Sequence, residues 1–214
     1  MFPFSFIIEL LCFFCALYYL RHEKKGIWYW LPWFMLFTSI TDGSGWLLSI
    51  LYPTAKNHWL YNLILPVTVL FIWWIFYNIY KPLYDSRIWL IVCLLIFSIS
   101  YVVETINKGF LIYNFTTVTI TGVLFVIASG WYYYLLLKQE EYLNLMHHPP
   151  FWIVTGIFLF YFGGTAISLF FEDLMKLNIA KGIPVRSFIA PVLNLAFYGS
   201  WAYAFRCRYQ HTIL

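Results

Sequence analysis

The sequence predicts an all-α protein: a polytopic bundle of seven transmembrane helices with its N-terminus outside and its C-terminus inside. Three observations predict this fold class. The chain of 214 residues is 63% hydrophobic and only 10% charged, it contains seven apolar runs about as long as membrane-crossing helices, and its charges concentrate in the gaps between them. A bilayer requires about 20 apolar residues of helix, whereas soluble domains carry about 25% charged residues. The composition therefore excludes a water-soluble class and makes the lipid bilayer an expected partner.

The apolar runs predict seven helices within a single transmembrane domain over residues 1–214. Their expected bounds are 3–20, 28–51, 59–80, 88–105, 110–137, 151–171 and 188–205. The first run has no basic residue before it, and Arg21, Lys24 and Lys25 follow it directly. A cleavable signal peptide has the opposite charge order, so we expect a retained first helix with an outward N-terminus.

Interfacial aromatic residues, charged gaps and prolines mark the remaining helices. Trp28 opens the second run, and Trp59 and Tyr61 open the third, as expected for rings at the membrane interface. The gaps around the fourth and fifth runs carry basic residues. The proline pair at 149–150 starts the sixth helix, and Pro191 lies inside the seventh, where it should bend that helix.

The distribution of Lys and Arg predicts the orientation. The gaps expected inside contain eight cations: Arg21, Lys24, Lys25, Lys81, Arg87, Lys138, Arg206 and Arg208. The gaps expected outside contain five: Lys56, Lys108, Lys176, Lys181 and Arg186. Because cytoplasmic loops carry an excess of Lys and Arg, this bias supports an outside N-terminus and an inside C-terminus. The expected location is the cytoplasmic (inner) membrane or the plasma membrane.

Two acidic residues interrupt the apolar runs. A charge near the bilayer centre costs roughly 2.5 to 3.5 kcal/mol, so such residues predict function. Glu9 and Asp42 each lie about three residues outward of the middle of their helices, which places both roughly 4 to 5 Å above the midplane. Because the apolar centres contain no Lys or Arg, we expect at least one of the two acids to be protonated or to bind a cation. The alternative is a structural role, with both acids hydrogen-bonded by neighbouring Ser, Thr and Asn.

Other polar residues near that depth predict a pocket. The predicted ligand-binding residues are Glu9, Asp42, Asn194, Glu104, Thr165, Thr121 and Asn62. Of these, Glu104 and Asn62 lie closer to the outer surface than the others. Helical spacing places Thr38, Asp42 and Gly45 on one face of the second helix. The sequence therefore predicts a polar pocket in the outer half of the bundle that opens away from the cytoplasm.

Common motifs of catalysis and cofactor binding are missing. The sequence contains no GxSxG, P-loop, HExxH or Rossmann fingerprint, so it predicts no catalytic residue of these classes and no cofactor. Its five histidines lie in or near gaps on both faces, where they cannot converge on one ion, so no metal site is predicted. A net charge of +4 is too small to suggest a nucleic-acid surface.

One aromatic motif carries a family resemblance. Residues 149–156 (PPFWIVTG) and the aromatic residues at 160–162 (FYF), together with chain length and helix count, resemble small uncharacterised seven-helix bacterial membrane proteins. Some of those proteins are encoded beside sensor histidine kinases. The resemblance implies a sensory or signalling association.

Three functions are compatible with this pattern. The first is a receptor-like or accessory sensor protein that binds a small molecule or cation and, lacking an output domain of its own, acts through a membrane-associated signalling protein. The second is a transporter for a small solute or ion that uses the intramembrane carboxylates. The third is an intramembrane enzyme in which Glu9 and Asp42 form an acid/base pair.

Overall fold

The computed structural model describes residues 4–52, 57–139, 143–170 and 185–213 of the chain, with the backbone alone at 185–188 and at 213. The helices are α1 (Phe4–Tyr19), α2 (Ile27–Leu51), α3 (His58–Tyr80), α4 (Arg87–Lys108), α5 (Phe115–Leu137), α6 (Pro149–Leu169) and α7 (Val185–Ile213), with one turn of 3-10 helix at Leu145–His147. The described residues contain no strand, so the all-α prediction is confirmed. Of the five cations predicted outside, Lys56, Lys176 and Lys181 lie outside the described residues.

Helix α5 begins at Phe115, later than the expected residue 110. Gly109 ends α4 with a positive φ of 83°, a backbone conformation that glycine adopts without steric cost. The Asn62 side chain then donates hydrogen bonds from Nδ2 to the carbonyl oxygens of Phe110 (2.8 Å) and Ile112 (2.6 Å). The apolar residues after Gly109 therefore form a pinned loop, because their carbonyl groups bond a side chain of α3 instead of the next helical turn.

Helix α7 continues to Ile213, beyond the end of its apolar run. Past that run the Arg208 guanidinium forms an ion pair with the Glu23 carboxylate, and Thr212 donates a hydrogen bond to the same carboxylate oxygen at 3.3 Å. Contact with the α1–α2 connection thus holds the polar end of α7 in helical form.

Five helices, α2 to α6, are long and apolar enough to cross a membrane. Helix α1 is apolar but has 16 residues, which extend about 24 Å against about 30 Å of hydrocarbon. Helix α7 has 29 residues but includes Arg206 and Arg208. Five helices of this length and composition indicate a membrane protein, while crossings by α1 and α7 stay predictions.

The outward surface of the bundle is strongly apolar. On α4 the side chains of Ile88, Ile99 and Ile106 are 63 to 81% exposed, and Leu137 of α5 is 86% exposed. Soluble monomers rarely expose contiguous apolar patches larger than a few hundred Å². Such faces suit contact with acyl chains, in agreement with the five apolar helices.

The helices form a closed ring in chain order. Each packs on the next, α7 packs on α1, and α3 also contacts α5. Helices α1 and α7 run parallel, since Ser5 contacts Asn194 and, one turn further along both helices, Glu9 contacts Tyr198. Helix α6 lies very close to α7: a Cβ at Gly156 would lie 2.8 Å from the Trp201 ring.

One half of the bundle is filled by large aromatic residues, and we call it the packed half. It contains six fully buried aromatic side chains: Phe76, Tyr80, Phe125, Tyr132, Trp201 and Phe205. The Tyr80 hydroxyl donates to the carbonyl oxygen of Ala128, and Trp201 Nε1 donates to the carbonyl oxygen of Ile153 at 3.1 Å. The interior of this half is closely packed, and the cavities lined by Glu9 and Asp42 lie in the other half.

Candidate functional site

The Glu9 carboxyl group lies in the half of the bundle opposite the packed half, which we call the cavity half. Its side chain is only 1% exposed, and Oε1 accepts a hydrogen bond from the Tyr198 hydroxyl at 3.0 Å. The other oxygen, Oε2, has no hydrogen bond of good distance and angle with any described residue, and the side chains of Thr38 and Asp42 lie near the carboxyl group. Buried polar atoms are nearly always hydrogen-bonded. Of the six buried side-chain atoms without a partner in the described part of the chain, Glu9 Oε2 is the one that belongs to a carboxyl group, which makes Glu9 a candidate contact for a ligand or a proton.

Asp42 faces Glu9 across the α1–α2 interface. The two carboxyl groups lie close enough to interact directly, and both line the same cavity. Two carboxylates in an apolar medium repel each other strongly if both are ionised. The pair therefore favours a shared proton or a bound cation.

The cavity between these helices has a volume of about 280 Å³. Its polar lining consists of Glu9, Asp42, Thr38, Thr41, Thr68 and the four tyrosines Tyr61, Tyr113, Tyr161 and Tyr198. Its apolar lining includes Phe34, Phe160 and Phe197. We call this space the Glu9–Asp42 cavity. The volume approaches the lower end of small-molecule sites, about 300 Å³, so it can hold a small organic ligand.

The floor of the Glu9–Asp42 cavity rests on the packed half. The ring centroids of Phe34 and Phe197 lie 6.3 Å and 4.7 Å from that of Trp201, and the Tyr161 ring packs edge-on against Phe125 at 4.7 Å. Aromatic contacts at these distances are favourable and directional. The bottom of the cavity is therefore continuous with the rigid aromatic core.

A second, more open cavity of about 240 Å³ lies where α2 ends and α3 begins. We call it the vestibule; it is lined by Ser5, Phe6, Asp42, Gly45, Trp46, Ser49, Asn57 and Tyr61. Asp42 and Tyr61 line both spaces, so they stand at the boundary between them. Gly45 is needed there because a Cβ at this position would lie 2.6 Å from the Tyr61 hydroxyl oxygen.

Asn194 lies beside the vestibule, one turn of α7 from Tyr198. Its Nδ2 donates to Ser5 Oγ at 3.2 Å and to the carbonyl oxygen of Ala190 at 3.0 Å. Ser5 lines the vestibule, whereas Asn194 itself lines neither cavity. The structure therefore places Asn194 as a bridge between α1 and α7 above the Glu9–Tyr198 contact.

Glu104 and Asn62 are held at the junction of α3, α4 and α5, away from the Glu9–Asp42 cavity. Glu104 accepts hydrogen bonds from the backbone N–H groups of Thr116 (3.0 Å) and Thr117 (2.6 Å) and from the Thr117 hydroxyl (2.7 Å). It also pairs with Lys108 at 2.6 Å. Asn62 holds the loop described above. Both side chains are occupied by contacts at the start of α5.

Thr121 and Thr165 lie at or near the α5–α6 contact. The Thr121 hydroxyl donates to the carbonyl oxygen of Thr117 at 2.7 Å, within its own helix. The Thr165 hydroxyl oxygen would lie 2.5 Å from a Cβ placed at Gly122. Neither threonine lines the Glu9–Asp42 cavity or the vestibule. Of the seven predicted site residues, the structure thus brings only Glu9 and Asp42 together in the cavity, with Asn194 beside them.

The four cavity tyrosines are absent from the sequence prediction. Tyr198 follows Asn194 by four residues and so shares its face of α7, a signal that was available. Tyr61 matched the pattern of an interfacial ring at the start of a helix, which hid its role in the lining. Tyr161 belongs to the aromatic motif at 160–162, which indicated a resemblance and not a pocket, and Tyr113 gave no signal. Only the meeting of the α4–α5 loop with α3 and α6 places the two in the cavity.

Comparisons of the chain with protein-family models, with curated proteins and with solved structures found no match.

Proposed function

We propose that the protein is a seven-helix membrane receptor or accessory sensor that binds a small ligand in the Glu9–Asp42 cavity and acts through a membrane-associated partner protein. The observation that carries this proposal is the pair of carboxyl groups, Glu9 and Asp42, that line one cavity of about 280 Å³, with Glu9 Oε2 buried and without a hydrogen-bond partner among the described residues. An intramembrane acid with a free oxygen is costly to maintain without a function.

The proposed topology has the N-terminus outside, the C-terminus inside and all seven helices crossing. The parallel run of α1 and α7 supports it, because two parallel crossing helices place the chain ends on opposite membrane faces. Arg21, Lys24 and Lys25 are exposed at the packed-half end of α1, as the excess of positive charge on the cytoplasmic side requires. The vestibule then opens away from the cytoplasm.

A route from ligand to partner is available along α1 and α7. The Glu9–Tyr198 hydrogen bond joins the two helices in the cavity half, and the Glu23–Arg208 ion pair links the end of α7 to the α1–α2 connection at the other end. A ligand that engages Glu9 changes the first contact. A small displacement of α7 against α1 would then reach Arg208, next to the exposed basic residues.

The closed packed half favours a receptor over a carrier. A carrier must open alternately to both sides, which here would require the separation of fully buried aromatic residues such as Phe76 and Tyr132. One observation keeps transport as the second candidate: Pro66 and Pro191 lie inside α3 and α7 in the cavity half, where prolines weaken helical hydrogen bonding and allow bending.

The test is native mass spectrometry of the full chain extracted in mild detergent. We expect a small-molecule adduct on the wild type that is lost in Asp42→Asn and retained in the matched control Asp85→Asn, whose carboxylate is 77% exposed. Reversing the charges of Arg21, Lys24 and Lys25 should remove a co-purifying protein partner and leave the adduct in place. Proton-gradient-driven uptake of a solute into vesicles would favour the carrier, and the absence of adduct, partner and uptake together would contradict both candidates.

A further inference from the structure

We infer that the ligand of the Glu9–Asp42 cavity is a small organic cation, a protonated amine or a quaternary ammonium that carries an apolar group. This inference rests on the proposed function and adds the chemical class of the ligand. The charge of the cavity lining supports this ligand class. Two carboxyl groups line the cavity, and no Lys or Arg of the described residues lines it with them.

The unpartnered oxygen specifies what the ligand must supply. Glu9 Oε2 is buried and has no hydrogen-bond donor among the residues described, while Tyr198 already serves Oε1. An ammonium group supplies both a charge and N–H donors, and charge-assisted hydrogen bonds of this kind are about twice as strong as neutral ones. An anionic ligand would be repelled by whichever of the two carboxyl groups is ionised, and a purely apolar ligand would leave Oε2 unsatisfied.

The walls of the cavity select an organic cation over a metal ion. Tyr61, Tyr161 and Phe197 are among the aromatic rings that surround the two acids, and ring faces attract ammonium groups within about 6 Å of the centroid. A hard metal ion instead requires about six oxygen ligands at 2.0 to 2.6 Å, and it would leave most of the 280 Å³ unfilled. The apolar group of an organic cation would fill the space above Phe34.

The vestibule offers the cation an entry route that is also lined by a carboxyl group. Asp42 lines the vestibule as well as the Glu9–Asp42 cavity, so one carboxyl group can attract the cation at the entrance and remain in contact with it inside. The vestibule lining adds the polar side chains of Ser49 and Asn57. No positive side chain of the described lining opposes the passage.

The experiment compares three probes of similar shape on the detergent-purified full chain: phenethylammonium, 3-phenylpropanol and 3-phenylpropionate, with tetramethylammonium as a smaller cation. Binding is measured by isothermal titration calorimetry and by the thermal shift of the protein. We expect at least one of the two cations to bind, the carboxylate not to bind, and Asp42→Asn to weaken cation binding at least tenfold. Asp85→Asn should leave it unchanged.

The outcomes separate this inference from the proposed function. Binding of the alcohol or the carboxylate in preference to both cations would overturn the cation assignment and leave a ligand-binding receptor intact. The same holds if native mass spectrometry finds an adduct whose mass and fragmentation show a neutral or acidic molecule. If no probe binds and the wild type carries no adduct, the inference and the proposed function fail together. Equal cation binding by the wild type and Asp42→Asn would place the cation elsewhere and overturn the inference alone.

Discussion

Two buried glutamates, both in predominantly apolar helices, differ in how the structure satisfies their oxygens. Glu104, at the α4–α5 junction, has both oxygens occupied by the start of α5 and by Lys108. Glu9, in the cavity half, has one hydrogen bond from Tyr198 and one oxygen without a donor in the described part of the chain. The first is 6% exposed and the second 1%. The comparison teaches that burial by itself does not distinguish the two acids, whereas their hydrogen-bond partners do.

The largest expected effect is a difference in stability between two variants, in which Glu104 and Glu9 are each replaced by Gln. Glu104→Gln removes the ion pair and places an amide among donors, so we expect it to lower the free energy of unfolding by about 2 to 3 kcal/mol. Glu9→Gln should change it by less than about 0.5 kcal/mol, because a lightly partnered buried charge contributes little stability. Denaturant unfolding in detergent measures both. Equal losses at the two sites would remove the distinction between them.

A smaller effect is expected at Tyr198. Tyr198→Phe deletes the hydrogen bond to Glu9 Oε1 and should lower the free energy of unfolding by about 1 kcal/mol. In the Glu9→Met background, where position 9 has no side-chain oxygen to accept the hydrogen bond, the same change should have a smaller effect if the two side chains act as a pair. A double-mutant cycle measures that coupling. A coupling energy of zero would show that the Tyr198 hydroxyl is not bonded to Glu9.

Lys108→Met probes how much of the Glu104 contact is ionic. The lysine side chain is 45% exposed, and exposed ion pairs contribute about 0.2 to 1 kcal/mol, so the loss should be well below that of Glu104→Gln. The difference represents the hydrogen bonds from α5 to Glu104. A loss as large as that of Glu104→Gln would make the ion pair, not the helix start, the main partner.

The smallest expected effect is a pH dependence of stability at His148, which lies outside the surroundings of both glutamates. Burial, with the nearby charge of His211 as a second cause, lowers the pKa of His148 below its ordinary value. The unfolded chain then binds a proton more readily than the folded one, so stability falls as pH drops below about 6.5. We expect a loss of a few tenths of a kcal/mol, roughly, because the side chain is only half-buried. His148→Gln should remove this part of the pH dependence, and an unchanged slope would contradict the assignment.

Particular residues show how far sequence reasoning reached. The pairing of Glu9 with Asp42 was predicted from depth alone, since two acids at one level of neighbouring helices can meet. Glu104 and Asn62 satisfied the same rule of intramembrane polarity but bond the start of α5 and the loop before it, which depends on where that loop folds. Thr121 and Thr165 lie at the right depth, yet depth does not specify the direction in which a side chain points.

Composition and spacing by themselves determined the class of the protein: an all-α chain with helices apolar enough for a membrane and two acids at one level. These properties follow from helix length, bilayer thickness and the cost of buried charge, and they depend only on residues that are close together in the sequence. The tertiary structure alone decided which acid is satisfied, which tyrosines line the Glu9–Asp42 cavity and which half is closed. The reason is that hydrogen-bond satisfaction and cavity volume depend on side chains from helices far apart in the chain, such as Glu9 and Tyr198. Only the packing of the seven helices into a closed bundle brings these side chains together.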